Sequence, residues 1–203
     1  MPLLETLLGH ASLHDRASTA KKRAALKAKL TPAVETPKVF AKSLKLAEGD
    51  DRILDVARVE VKGNLVLDDQ SRLLVAGDLV VAGNIIHEGF DYSLLFVGGT
   101  LQARNLLFHG ELVALGGITL RGVSWTYYND YSTYTDTLTA KAVVADDRVD
   151  AVDAVKAPHH LSGHSSKLAG PLAKLLRPEL LDQGTWDYPS LAKRLAKGED
   201  LLR

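Results

Sequence analysis

The chain has 203 residues, of which 46% are hydrophobic and 25% are charged, and its formal net charge is zero. This composition is typical of a soluble globular protein with one sizeable core. There is no cysteine, which excludes a disulfide scaffold, a thiolate zinc site, an iron–sulfur cluster and a cysteine nucleophile.

Targeting signals are not evident in the sequence. Residues 1–5 lack the basic start and long apolar run of a signal peptide, and no stretch of about 18 apolar residues occurs. We therefore expect a cytoplasmic protein that does not span a membrane, and the lack of cysteine fits a reducing compartment. No cofactor is expected.

Charge is distributed unevenly along the chain. Residues 1–46 hold 9 basic and 3 acidic side chains, residues 47–155 hold 8 and 17, and residues 156–203 hold 8 and 5. The central part therefore carries a net charge of −9, between two basic ends. An acidic surface of this kind steers a basic partner toward it, or serves solubility alone.

Residues 1–55 are predicted to form a basic helical segment followed by a linker. Ala, Leu and Lys dominate as far as Lys29, which favours helix, and Gly9 interrupts the pattern. Asp15 or Ser18 is the expected cap of the second helix. Residues 34–48 are interpreted as linker.

Residues 56–147 are predicted to form an all-β core built from repeats. Short runs of Val, Leu and Ile alternate there with Gly-Asn, Gly-Asp and Gly-Gly pairs. Aliphatic residues recur every six positions in three ladders: Val61, Leu67, Leu73, Leu79 and Ile85; Leu95, Leu101, Leu107 and Val113; and Leu106, Leu112 and Ile118. A six-residue period indicates a short, single-stranded parallel β-solenoid, with one strand and one corner per face.

A longer repeat points to the same fold. The aliphatic ends of four similar phrases, Leu79, Leu101, Ile118 and Leu138, are separated by 22, 17 and 20 residues, or about one three-faced coil each. The alternative is an antiparallel sandwich, because short strands with glycine turns also build that fold.

Residues 148–203 are predicted to be a loop followed by short helices that pack on the core or cap it. The candidates are 168–176, 178–181 and an amphipathic helix that Tyr188 and Pro189 open and that ends near Lys197. A solenoid with open ends exposes unpaired strand edges, which capping elements normally cover. The chain is thus mainly β, with a solenoid flanked by N- and C-terminal helices.

Four of the six tyrosines fall within residues 127–134, in a predicted loop between coils. Tyr127, Tyr128, Tyr131 and Tyr134, with Trp125 beside them, form a cluster suited to contacting a protein partner, because tyrosine offers rigid amphipathic contact area. The alternative is that these rings pack over the solenoid wall.

Histidines provide the other candidate sites. His159, His160 and His164 have a spacing that allows imidazoles to share a metal ion, but no carboxylate lies among them, and we expect no metal there. His87 and His109 fall at predicted coil corners. Acid–base pairing is one interpretation of these two, and solvated corner residues are the other.

Motifs of phosphate, dinucleotide and zinc-protease sites do not occur in the sequence, nor does a Gly-x-Ser-x-Gly elbow. The basic stretch 21–29 lacks interleaved aromatic residues, so a solvated helix face is expected rather than a nucleic-acid site.

Five stretches of the core resemble a group of uncharacterised bacterial β-solenoid proteins. They are 77–81 (Gly-Asp-Leu-Val-Val), 99–105 (Gly-Thr-Leu-Gln-Ala-Arg-Asn), 117–120 (Gly-Ile-Thr-Leu), 128–130 (Tyr-Asn-Asp) and 138–147, which begins Leu-Thr-Ala and ends Asp-Asp. Members of that group are often associated with polymorphic toxin systems and are regarded as immunity proteins. Arg148 stands where the resemblance predicts a histidine. More distantly, the core resembles bactofilins, whose solenoids stack end to end.

The resemblance and the residues together predict a non-catalytic binding protein, an immunity protein that occludes a basic toxin. The expected contacts are Trp125 and the four clustered tyrosines, with Asp130 and Asp136 as charge partners, on a monomer or small homo-oligomer. A polymer-forming scaffold is the first alternative, although the helical flanks are expected to obstruct stacking. A metal-dependent enzyme that uses the histidine loop is the second.

Overall fold

The computed structural model describes residues 2–128, 130–181 and 185–203. The helices are α1 (Pro2–Leu8), α2 (His14–Ala17), α3 (Ala20–Lys27), α4 (Ser165–Leu175) and α5 (Tyr188–Ala196), with a 3-10 turn at Pro178–Leu180. The strands are β1 (Lys38–Phe40), β2 (Leu44–Leu46), β3 (Asp51–Leu54), β4 (Arg58–Val61), β5 (Leu65–Leu67), β6 (Arg72–Val75), β7 (Asp78–Val81), β8 (Ile85–His87), β9 (Leu94–Val97), β10 (Leu101–Ala103), β11 (Leu106–Phe108), β12 (Glu111–Ala114), β13 (Ile118–Leu120), β14 (Val123–Tyr127), β15 (Thr133–Thr139), β16 (Ala142–Asp146), β17 (Ala151–Lys156) and β18 (His159–Gly163).

The strands wind into a parallel β-solenoid of three faces. The first face stacks β1, β4, β7, β10 and β13; the second stacks β2, β5, β8, β11, β14, β16 and β18; the third stacks β3, β6, β9 and β12. β15 is long enough to pair with β12 through one half and with β13 through the other, so it turns from the third face to the first without a break, and β17 follows it. All of these strand pairs are parallel, which confirms the solenoid and rules out the antiparallel sandwich.

The long repeat predicted from the sequence matches the observed register. Leu79 pairs with Leu101, Leu101 with Ile118, and Ile118 with Leu138. Parallel strands on one face place equivalent residues one above another, so each of these intervals is one coil.

The six-residue ladders trace the interior only in part. The first and third ladders point inward along their whole length, whereas Leu107 and Val113 of the second point outward, beneath helices. The cause lies at the corner after β10: interior residues Leu101 and Leu106 are five positions apart, against six for Leu79 and Ile85. The one-residue difference moves the following residues to the opposite side of the wall.

The solenoid extends beyond the predicted range of 56–147. Strands begin at Lys38, inside the predicted linker, and continue to Gly163, inside the predicted loop. The end coils have a neighbour on one side only, so their strands are more polar and more exposed than the central ones. Because their hydrophobic pattern is weak, the strands of the end coils were not predicted from the sequence.

Both groups of helices pack against side faces of the solenoid rather than over its ends. Leu4, Leu7 and Leu26 of the N-terminal helices pack on outward residues of the third face, including Phe96. The C-terminal helices cover the second face in the same way. The cap of α3 is Thr19, whose Oγ1 accepts the Lys22 N–H at 3.3 Å, and not Asp15 or Ser18.

Candidate functional site

The tyrosine-rich segment is mostly strand rather than loop. Trp125 and Tyr127 belong to β14 and lie buried beneath the C-terminal helices, and Tyr134 belongs to β15 and lies buried beneath the N-terminal helices. The Tyr134 hydroxyl is 3.0 Å from His14 Nδ1. The packing alternative therefore holds for these three residues, because buried side chains cannot serve as contacts for a partner.

Asp136 also has an internal role. Its Oδ1 accepts a hydrogen bond at 2.7 Å from Nε of Arg23, a side chain of α3 that is only 1% exposed. Arg23 Nη2 reaches Asp153 Oδ2 at 2.6 Å. Asp136 thus holds α3 on the solenoid, while its side chain is 53% exposed and its role as a charge partner stays a prediction.

The rest of the predicted cluster lies at the corner between the second and third faces. Tyr128 and Asp130 are exposed there and Tyr131 is partly buried. Residues from three neighbouring corners join them, and together they form what we call the acidic–aromatic corner: Asp69, Phe90, Asp91, Tyr128, Asp130, Tyr131 and Asp147. Phe90 is 50% exposed and its ring centroid lies 6.4 Å from that of Tyr128.

Hydrogen bonds between successive coils hold this corner in place. Asp69 Oδ1 accepts the Asp91 N–H at 2.8 Å, and Gln70 Nε2 donates to Asp91 Oδ2 at 3.2 Å. The hydrogen bonds from the Tyr92 N–H and from Gln70 hold the pKa of Asp91 below its ordinary value, so this carboxylate is charged at neutral pH. The aromatic and acidic side chains are therefore carried on a fixed scaffold.

Behind the corner, four rings from successive layers form a stack. The centroids are 5.9 Å apart for His87 and His109, 5.4 Å for His109 and Tyr127, and 3.7 Å for Tyr127 and Tyr188 of α5. The stack connects the solenoid wall to the C-terminal helices.

Both histidines of the stack are buried, at 1% and 2% exposed, so the interpretation as solvated corner residues was wrong. Neither ring forms a hydrogen bond with a described residue, although His87 Nε2 lies 3.5 Å from Asp69 Oδ1. Burial, together with the neighbouring His109, lowers the pKa of His87 to about 4. Burial and Arg148 lower that of His109. Both rings are therefore neutral at pH 7.

Arg148 occupies a structural position inside the corner. Its guanidinium is buried, donates to the carbonyl oxygens of His109 and Gly110, and pairs with Asp150 at 2.9 Å. Its charge is thus satisfied internally and does not offset the carboxylates at the surface of the corner.

A cavity of about 520 Å³ lies between the corner and the C-terminal helices. We call it the corner cavity. Its described lining combines aromatic and acidic side chains with the first turn of α4: Phe90, Tyr128, Asp146, Asp147, His164, Ser165, Ser166, Ala169, Thr185, Trp186, Asp187, Tyr188 and Pro189.

Asp146 is the most unusual group of this lining. It is 5% exposed; its Oδ2 accepts a hydrogen bond from the Tyr188 hydroxyl, and its Oδ1 has no partner among the described residues. Burial raises the pKa of Asp146 above its ordinary value, against the opposing effects of hydrogen bonds from the Tyr188 and Trp186 side chains. A buried carboxylate oxygen without a donor is costly and calls for an explanation.

The three candidate metal ligands do not converge. His159 and His160 are adjacent in β18, so their side chains point to opposite sides of the strand, and His164 caps α4. Among residues 2–128, 130–181 and 185–203, no three His, Asp or Glu side chains are grouped as a metal site. The segment is a strand and not the predicted histidine loop.

His164 is also unsuited to activate a serine. Its Nδ1 accepts the Ser166 N–H at 3.4 Å and lies 3.2 Å from Ser166 Oγ. The nitrogen that would take the hydroxyl proton is therefore occupied by the helix cap.

Sequence reasoning missed Phe90, Trp186 and Tyr188 as parts of this site. Tyr188 was recognised only as the start of a helix, and Trp186 is one of just two tryptophans. Tyr188 lies 42 residues from Asp146 in the sequence, Trp186 and Phe90 are also distant from it, and no local pattern encodes such an approach.

The fold and this site define a β-solenoid protein with laterally packed helices. Comparison of the chain with protein-family models, with curated protein sequences and with solved structures found no match. In the part of the chain that the structure describes, none of the helices has the length and apolarity needed to cross a membrane.

Proposed function

We propose that the protein is a non-catalytic binding protein of the bacterial cytoplasm whose partner is a basic protein. Following the resemblance of its core, we further propose that it is an immunity protein and that the partner is a toxin. The observation that carries the proposal is the acidic–aromatic corner, where exposed rings and carboxylates share one rigid edge of the solenoid.

The composition of the corner favours a basic protein over other partners. Asp130 has 68% of its side chain exposed, and Arg148, the cation built into this edge, is sealed beneath the surface. Carboxylates in this arrangement raise the association rate with a basic surface. The exposed rings supply the apolar contact area that gives protein interfaces most of their affinity.

A capture experiment from the native host tests this proposal. The informative variant is Tyr131→Ala/Asp130→Asn, because both residues belong to the corner and neither lines the corner cavity. Gln102→Ala is the matched control, since Gln102 is exposed on the first face, away from the corner. We expect the wild type and the control to retain one basic protein, and the double variant to lose it.

The captured protein must then pass a functional test. Expressed alone, it should arrest growth; co-expression of the wild type should restore growth, and co-expression of the double variant should not. Equal capture and equal protection by the double variant would refute the assignment to the corner.

A second candidate function is a scaffold that assembles end to end. Two observations favour it. The helices pack on the sides of the solenoid, and among the described residues no further strand pairs with the outer edge of the first or the last coil. Phe40 and Leu54 at one end, and Val152 and Val155 at the other, are only partly buried. Unpaired parallel edges of this kind can accept the strands of another copy.

Sedimentation separates the two candidates. Assembly predicts species that grow with protein concentration and that are lost in Val152→Asp, whereas Val80→Asp on the first face should not affect them. A sedimentation coefficient that stays at the monomer value at every concentration would exclude the scaffold.

A further inference from the structure

We propose that the corner cavity binds an organic cation, namely the ammonium or guanidinium group of a basic side chain on the partner. This inference rests on the proposed function and adds to it the chemistry of the central contact. It is carried by the walls of the cavity, by an unpartnered carboxylate oxygen in them, and by the charges around them.

The walls suit a cation because four aromatic rings contribute to them. Phe90 and Tyr128 lie on the solenoid side, with centroids 6.4 Å apart, and Tyr188 lies on the helical side, edge-on to Tyr128 with centroids 5.7 Å apart. Trp186 completes the set. Ring faces attract ammonium and guanidinium groups, and the attraction grows when water is excluded from the site.

Asp146 provides the specific partner. Its Oδ2 accepts a hydrogen bond from Tyr188, and its buried Oδ1 has no hydrogen-bond partner among the described residues, although the Trp186 side chain also acts to lower the pKa of this carboxyl. A cation that enters the cavity brings N–H donors to this group and stabilises its charged form. Hydrogen bonds between charged groups are the strong ones in proteins.

The balance of charge in the cavity favours the same ligand. Asp147 is exposed at the rim, and Asp187 has one oxygen engaged as the cap of α5, at 2.9 Å from the Ser190 N–H. Neither lysine nor arginine appears among the described lining residues. The volume of about 520 Å³ exceeds that of a lysine or arginine side chain and falls within the usual range of ligand sites.

An anion is the competing ligand, because the cavity also contains the first turn of α4, and helix N-termini attract anions. His164 already satisfies the Ser166 N–H at that terminus. Asp146 and Asp147 would repel a phosphate. A test must therefore include an anion as well as a cation.

Calorimetric titration of the full chain provides that test. The probes are N-acetyl-arginine amide and N-acetyl-lysine amide, with N-acetyl-citrulline amide as the neutral isostere and inorganic phosphate as the anion. We expect saturable binding of at least one cationic probe and none of the neutral or anionic probe.

The variants Asp147→Asn and Asp146→Asn are expected to weaken cation binding about fivefold or more, as fits the loss of one partly buried charge contact. Glu35→Gln removes an exposed carboxylate far along the chain and should leave binding unchanged. If Asp146→Asn fails to fold, as judged by circular dichroism, Asp147→Asn still decides the outcome.

Three results would overturn the inference: no binding of either cation, binding of citrulline amide or phosphate as strong as that of the cations, or cation affinities that both Asp variants preserve. Failure here is distinguishable from failure of the proposed function. If the Tyr131→Ala/Asp130→Asn variant loses the partner but the wild type binds no cation, only the cavity assignment is refuted. If the wild type binds a cation but captures no partner, only the protein-binding role is refuted.

Discussion

Tyr188, on the first turn of α5, donates its hydroxyl to Oδ2 of Asp146 at the end of β16, and this hydrogen bond joins the C-terminal helices to the solenoid wall. Tyr188→Phe removes the donor and leaves Oδ2 of the buried Asp146 without its hydrogen bond from α5. We expect a loss of about 2 kcal/mol in the free energy of unfolding, measured by urea denaturation. Tyr128→Phe, which alters an exposed ring, should change it by less than about 0.5 kcal/mol. Equal effects would mean that the hydrogen bond contributes little.

Arg23 fastens the N-terminal helices to the last coils. Its guanidinium contacts Asp136, Asp153 and the carbonyl oxygen of Ala17 at 3.0 Å, and its side chain is almost fully buried. Arg23→Ala should lower the free energy of unfolding by about 2 kcal/mol, through lost hydrogen bonds and lost packing of the stem. Lys21→Ala, an exposed change nearby on α3, is the control, and a matching loss there would point to helix propensity instead.

His87 should make the protein less stable in mild acid. Its pKa is about 4 in the folded chain, against an ordinary value of 6.5, so the unfolded chain binds more protons between these values and stability falls as the pH falls. Between pH 7.5 and pH 5 the loss attributable to His87 is about 2 kcal/mol. Asp68, Asp69 and His109 also face this ring.

The variant His87→Phe keeps a ring in the stack and removes the titration. Urea denaturation of both proteins at pH 7.5 and pH 5 should show a smaller acid-induced loss for His87→Phe than for the wild type. Parallel losses in the two proteins would show that other groups govern the pH dependence.

Gly77 is required by the close approach of two corners. A Cβ at this position would lie 1.9 Å from the backbone oxygen of Ala57 in the neighbouring coil, so Gly77→Ala must push two coils apart. We expect a cost of about 2 kcal/mol or more in thermal or urea unfolding. A Cβ at Gly9 would meet two backbone oxygens at the ordinary contact distances of 3.5 and 3.7 Å, so the effect of Gly9→Ala should be within about 0.5 kcal/mol.

Sequence reasoning recovered the solenoid because its repeat is local and regular. Leu79, Leu101, Ile118 and Leu138 carry the same neighbours on each coil, so their spacing was visible without a structure. The end coils were not predicted, because strands such as β1 and β17 are too polar to show a hydrophobic pattern.

The site was predictable only as a region. Tyr128, Asp130 and Tyr131 lie where the sequence suggested an exposed cluster, but Tyr127 and Tyr134 are identical in type and lie buried. The difference depends on where β14 ends and β15 begins, and on which helices pack outside them. Both are long-range properties that tyrosine spacing does not encode.

The pairing of Arg23 with Asp136 and Asp153 bears on how the chain is made. These partners lie 113 and 130 residues further along the sequence. On a ribosome, α3 is therefore complete long before Asp136 and Asp153 have been synthesised. Leu4, Leu7 and Leu26 are also synthesised before the solenoid wall that buries them. The apolar side chains of these helices therefore stay unburied until the coils that cover them, which include Phe96 and Val113, have been synthesised.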